Sequence, residues 1–359
     1  MKKQKNVIFL SLILFCNINV ALRDSNKKLE IFKNKEAGLY EKKIKNKIQF
    51  KKILSLGVDI GPEYLMFGRN IQVDVDSNQN IFILDFQNHR ILKFDRKGEF
   101  QWKAGKKGQG PGEIESPSFI KVTDEGGVVL ADQGVILSFF DKDGNYQRRV
   151  KFEKSIKSII SFSDGHILAN LFKSGQLGIV AAFFSADGKL INYFPIKYYY
   201  GPKLSPSRAY NLGGAFRLFN NNLYLSLPDK YEIREYSLEG KLLRKIKRNI
   251  KIRPPFLEDG YKFIFRDISG PCYFTSKGFI INKLYLKEKI DEDIGKTYLD
   301  FFNKDLKYLG SYLIQEDMYL TSIDKYDNFY FVQKDPYIKI IKCSLMIKLE
   351  SSLPYSVGN

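Results

Sequence analysis

The sequence predicts an all-β fold: a six-bladed β-propeller of four-stranded antiparallel blades, its ring closed by an N-terminal strand. Three observations carry this. A unit of short alternating strands recurs at a period of about 40 to 50 residues, the period of propeller blades. The turns inside each unit have the Asn, Asp and Gly chemistry that tight hairpins require. The last unit is one strand short, and a strand of the missing kind stands at the other end of the chain.

The clearest unit is "IFILDFQNHRILKFDRKGEF" (81–100), echoed by "GVVLADQGVILSFFDKDGNY" (127–146). Looser copies are "NLYLSLPDKYEIREYSLEGKL" (222–242) and "NFYFVQKDPYIKIIKC" (328–343). "GHILANLFKSGQLGIVAAFFSADGKLI" keeps the design without the Asp, and residues 278–310 form a swollen copy. The turn glycines Gly98, Gly144, Gly188 and Gly240 stand 46, 44 and 52 residues apart. In the first unit, period-2 alternation predicts strands Ile71–Val75, Ile81–Leu84, Ile91–Phe94 and Phe100–Lys103. Units then begin near residues 71, 118, 156, 212, 268 and 317. The sixth has only three convincing strands. "IQFKKILSLGVDIGPE" (48–63) has the shape of a fourth strand and its exit, so Ile48–Leu56 is expected to complete that blade. Closure removes the free edges that invite aggregation. A length of 359 residues would by itself suggest two domains, but the repeat overrules it.

The chain ends divide by composition. Lys2, Lys3 and Lys5, the apolar run Val7–Phe15 and a polar stretch to Ala21 form an export signal over residues 1–21. Lipidation at Cys16 and an uncleaved anchor stay open beside cleavage after Ala21. A basic segment follows over 22–46, then the propeller over 47–350 and a tail over 351–359. The expected location is periplasmic, envelope-associated or secreted, with possible membrane association through the N-terminus. Cys272 and Cys343 show no pairing signal, and no Cys/His cluster of zinc spacing exists. The net charge is +18, of which +7 lies between Arg23 and Ile53. Such a field points to anionic partners, or reflects a Lys-rich composition.

The string "ILDFQNHRILKFDRKGEFQWKAGKKGQGPGEIESPSFIKV" resembles the NHL repeat of six-bladed propellers and the exported bacterial propellers related to it. The shared features are Asp85, the knot Asn88 to Ile91, the turn Asp95 to Gly98, and the glycine run Gly105 to Gly112. The match is specific over 71–146 and loosens beyond. The resemblance implies a binding platform, with enzymes a minority.

In a propeller, loops between second and third strands share one face with the loops between blades. The long insertions all fall in this class: 105–117, 197–210, 249–262 and 287–296. Elaborated loops on a rigid scaffold are where function concentrates. The expected ligand-binding residues there are Arg90, Lys106, Lys107, Lys173, Lys203, Arg208 and Arg253, with Tyr198, Tyr199, Tyr200 and Tyr210. The cations suit phosphates, sulfates or carboxylates, and the rings suit sugars or bases. The expected partner is thus an anionic polymer, glycan or protein.

Bland readings stand beside these. The tyrosines are also ordinary strand residues. Asn88 and Arg90 are also expected to brace their loop. The run Gly105–Gly112 leads from strand to strand and lacks the helix that a nucleotide loop needs. Asp74, Asp76, Asn78 and Asp85 have calcium-loop spacing, yet Gln79 stands where that loop needs Gly. No catalytic set, cofactor motif or metal site is predicted. One alternative is a metal-dependent hydrolase or lyase using Asp85, Asp132, Asp229 and Asp335 at the channel; His89 and His166 are too few for a multi-histidine centre. The other is an RNA-binding propeller of the NHL type, which the export signal disfavours.

Overall fold

The computed structural model describes residues 29–34, 48–152, 155–163, 166–172, 178–185, 187–197, 216–227, 230–253, 256–258, 262–264, 267–287 and 295–347. They form six blades of four antiparallel strands each, one of them extended by a fifth strand, and a separate two-stranded hairpin. Two strands come first, β1 (Glu30–Asn34) and β2 (Ile48–Leu56). Blade 1 holds β3 (Ile71–Val75), β4 (Ile81–Asp85), β5 (Arg90–Phe94) and β6 (Phe100–Ala104). Blade 2 holds β7 (Pro117–Val122), β8 (Val128–Asp132), β9 (Ile136–Phe140) and β10 (Tyr146–Lys151). Blade 3 holds β11 (Ile156–Ser163), β12 (His166–Phe172), β13 (Gly178–Phe184) and β14 (Leu190–Lys197). Blade 4 holds β15 (Phe216–Phe219), β16 (Asn222–Leu227), β17 (Glu232–Tyr236) and β18 (Leu242–Arg248). A small hairpin follows, β19 (Phe256–Glu258) and β20 (Lys262–Ile264). Blade 5 holds β21 (Asp267–Phe274), β22 (Ile280–Leu286), β23 (Lys296–Phe302) and β24 (Tyr308–Leu313). Blade 6 holds β25 (Met318–Ile323), β26 (Asn328–Gln333) and β27 (Lys339–Ile347), completed by β2.

The expected closure is present. β2 pairs antiparallel with β27, from Ile48↔Ile347 to Leu56↔Ile340. Blades 6 and 1 then share a core in which Leu56, Ile71, Val73 and Ile83 pack with Tyr330, Val332 and Ile340. Polar ties run between innermost strands. Gln72 imitates a backbone unit, donating to the Ile120 carbonyl and accepting from its N–H. Tyr319 donates to the Ile71 carbonyl and Tyr273 to the Leu320 carbonyl.

The plain face shows why its turns recur. Asp76, Asp95, Asp141, Asn303 and Asp324 each begin a turn and accept from the N–H groups two and four residues on. This side-chain mimicry of a backbone turn favours Asp and Asn. The glycines are needed twice over. Gly144 has φ +84, and a Cβ there would lie 2.8 Å from Trp102 on the preceding blade's outer strand. Gly144→Ala is therefore expected to cost about 1–3 kcal/mol from φ strain, plus the clash. Gly278→Ala is the control, since Gly278 has φ +80 but its nearest contact is 3.6 Å. The urea midpoint should fall further for Gly144→Ala; equal falls would remove the steric part of this account.

Two elements depart from the sequence reading. Within the basic segment 22–46, β1 adds a fifth strand to blade 4, pairing parallel to β18 from Glu30↔Arg244 to Asn34↔Arg248. Phe32 packs against the core between blades 4 and 5. Asn34 donates to the Leu306 carbonyl and accepts from the Tyr308 N–H, which fastens this strand to blade 5. The second is the hairpin β19–β20, lying within a stretch expected to be loop.

Blades 4 and 5 also share a buried ion pair. Arg248 donates to Asp300, which accepts from Tyr231 and Ser311 as well. The Arg248 guanidinium stacks 3.7 Å from the Tyr308 ring centre. Burial pushes the Asp300 carboxyl above its usual pKa, against the pull of Arg248.

Candidate ligand-binding face

Among the described residues, strand direction puts the second-to-third-strand turns and the ends of the blade-to-blade loops on one face. Four of the predicted site residues are described there, and they divide sharply. Arg90 opens β5 and is 3% exposed. Its guanidinium donates to Asp85, to the Glu63 carboxylate, and to the carbonyls of Glu63 and Met66. All of its charge is used inside the chain. Arg90 is thus corrected from ligand-facing residue to brace: it fastens the β4–β5 turn to the 3-10 turn Glu63–Leu65. Asp85 caps the same turn through Asn88 and also accepts from the Gly68 N–H.

The glycine-rich loop is also a built structure. His89 donates from Nδ1 to the Ile114 carbonyl at 3.1 Å. Arg149 of blade 2 reaches the carbonyls of Gln109, Gly110 and Glu113. Glu113 accepts from the Gly110 N–H, and with the Lys106 ammonium 3.2 Å away its carboxyl is held below the usual range. Gly110's N–H is the larger cause. The N–H groups of Gly108, Gly110, Glu113 and Ile114 all serve acceptors of the same loop.

Lys106 and Lys107 project from this braced loop. Lys106 has a side chain 79% exposed despite its pairing. Lys107 is exposed, its backbone joined to Ile114 by a bridge. Arg253 is half-buried and donates to the Lys287 carbonyl, tying two long loops of this face together. Lys173, Tyr198, Tyr199, Tyr200, Lys203, Arg208 and Tyr210 lie outside the described residues.

Of the carboxylates proposed for a channel metal centre, Asp85 and Asp132 are engaged. Asp132 accepts from the N–H groups of Glu115, Ser116 and Gln133, repeating for blade 2 what Asp85 does for blade 1. Asp335 is exposed in a cis peptide with Pro336, and Asp229 lies outside the described residues. At the calcium-like motif, Asp76 holds its own turn, whereas Asp74 accepts from Lys121 and the Val122 N–H of blade 2. His89 and His166 sit at opposite faces, one in the β4–β5 turn and the other at the start of β12.

The sequence reading missed Glu63 and Arg149, which make this face rigid. Glu63 belongs to a stretch read only as a strand exit. Arg149 belongs to an outer strand whose charges look like solvated surface.

Similarity to known proteins agrees with the fold. A family described as a 6-bladed beta-propeller matches residues 67–169. A candidate exported protein of Bacteroides fragilis is similar at 13% identity and TM-score 0.56, over 90% of this chain and 100% of that one. A member of the DUF4221 family from Bacteroides vulgatus is similar at 9% identity and TM-score 0.58, over 84% and 99%. Virginiamycin B lyase from Staphylococcus aureus follows at 11% identity, covering 84% and 100%, with a TM-score of 0.49 on which nothing rests. No curated protein matches the sequence. The class is therefore a six-bladed β-propeller.

Proposed function

We propose that this chain is an exported, non-enzymatic binding propeller whose loop-rich face recognises an anionic partner, an acidic glycan foremost. One observation carries the reading. Every buried carboxylate among the described residues is engaged by the protein's own donors, while Lys106 and Lys107 stand out from a stiffened loop. With a net charge of +18, the excess positive charge is left to the surface. A cation held on a rigid loop loses little freedom on binding, which favours affinity. Export rests on the signal-like residues 1–21 and on the likeness to a candidate exported protein. That setting favours an envelope or extracellular partner over RNA.

The test compares two pairs of neutral substitutions, each removing two charges. Lys106→Gln with Lys107→Gln alters the loop-rich face; Lys97→Gln with Lys142→Gln alters the plain-face turns. Binding to a sulfated polysaccharide should weaken at least about tenfold for the first pair, since one charge-assisted contact is worth about 1.5 kcal/mol or more. The second pair should change it less than about twofold, because exposed charges beyond about 8 Å are screened. Equal losses would mean a diffuse field and no privileged face.

A further inference from the structure

Two lysines of blades 5 and 6 meet at one tyrosine ring, and an arginine of blade 4 lies against a second tyrosine. Arg217 on β15 holds its guanidinium carbon 5.7 Å from the centre of the Tyr273 ring. Lys283 on β22 and Lys334 after β26 bring their ammonium groups to 5.8 and 5.4 Å from the centre of one ring, that of Tyr319. The Tyr273 hydroxyl donates to the carbonyl of Leu320, the residue after Tyr319, which links the two places. Elsewhere on the ring, Arg90, Lys121, Arg234, Arg244 and Arg248 each meet a carboxylate. Among the described residues, Arg217, Lys283 and Lys334 meet none; Arg217 donates to the adjacent Phe216 carbonyl at 3.2 Å and also bonds the Tyr273 side chain.

The local sequence builds this arrangement. Pairing of β21 with β22 shifts register between Ser269 and Cys272, at Gly270 and Pro271. A Cβ on Gly270 would sit 3.3 Å from the Lys283 Cβ, so the lysine stem lies close over a strand that carries no side chain there. That lets a second-strand lysine reach past its own inner strand to the next blade. The half-buried Lys283 has lost water, and Lys334 repels it; both hold its pKa below the usual value, burial more than charge. The tyrosine faces attract cations but cannot neutralise them. Both tyrosine hydroxyls are committed to carbonyls, so the rings form walls rather than donors.

We propose that the inner rim of blades 4 to 6 is an oxyanion-binding site, where Lys283 and Lys334 hold the charge and Arg217 closes the opposite side. Its ligand carries a carboxylate, sulfate or phosphate group. An oxyanion supplies acceptors to the two ammonium groups and relieves the repulsion between them. The site uses neither Lys106 nor Lys107, and it stands whether or not the loop-rich face binds a polymer.

Calorimetric titration of the full chain with glucuronate, inorganic sulfate and inorganic phosphate, at constant ionic strength in chloride, tests this and separates the three chemistries. At least one should bind saturably. Lys283→Met keeps the stem and removes a desolvated charge, so it should weaken that binding at least tenfold without lowering the melting temperature. Lys334→Gln, at an exposed position, is the second variant and should weaken it several-fold even if Lys283→Met fails to fold. Lys106→Gln with Lys107→Gln should leave it within twofold. The site is refuted if no oxyanion binds beyond chloride, if Lys334→Gln binds like the parent, or if the loop pair weakens binding as much as Lys334→Gln does.

Discussion

A chain begun at Gly57, lacking β2, is expected to lose cooperative folding, whereas one begun at Lys35, lacking only β1, keeps it. Ile48 and Leu56 are 2% and 5% exposed, and burying such a side chain is worth about 1.5–3 kcal/mol. Phe50 sets its ring 4.8, 4.9 and 5.3 Å from those of Tyr312, Phe329 and Phe331. Together these contacts supply about 5 kcal/mol or more, against a whole-domain stability of about 5–15 kcal/mol. Loss of β2 also opens the β27 backbone along its length, inviting edge pairing with other chains. Scanning calorimetry decides the matter: a Gly57 chain that melts as sharply and as high as the full one would show that closure contributes little.

The second large effect is expected at the buried ion pair. Asp300→Ala should destabilise by about 3–5 kcal/mol, because it leaves the Arg248 charge buried without its carboxylate. Tyr231 and Ser311 lose their acceptor at the same time. The double variant Arg248→Met, Asp300→Leu should recover most of that loss, since no charge is then left to desolvate. Urea midpoints of the parent, Arg248→Met, Asp300→Leu and the double variant form a complete cycle, with Asp300→Ala measured beside it. A double variant less stable than Asp300→Ala would place the stabilisation in packing around Arg248 rather than in charge.

The blades were legible because their signals are local. Alternation, Asx turns and turn glycines lie within a few residues of one another, so strand starts expected near 71, 118, 156, 268 and 317 appear at 71, 117, 156, 267 and 318. Blade 4, expected near 212, has its first described strand at 216. Closure was legible because a missing strand and a spare one can be counted. β1 was not, since five residues with one exposed Ile31 carry too little pattern to announce a parallel partner more than 200 residues away. Arg90 shows the limit for sites. An Asn-His-Arg-Ile knot reads equally as contact surface or as brace, and only its carbonyl and carboxylate partners decide. The rim cations were invisible for the same reason: Arg217, Lys283 and Lys334 come from three blades, and the space for Lys283 depends on Gly270 in another strand.

Among the described residues, the N-terminal chain touches the ring twice, first through five-residue β1 on blade 4 and then through nine-residue β2 in blade 6. Tension applied ahead of Leu29 therefore meets β1 before it meets β2. Detaching β1 breaks a short ladder, the Asn34 bonds and the Phe32 contact, yet it leaves every blade with its four strands. Under a pull on the leading segment, β1 is therefore expected to part from the rim of blade 4 before load reaches the strand that keeps the ring shut.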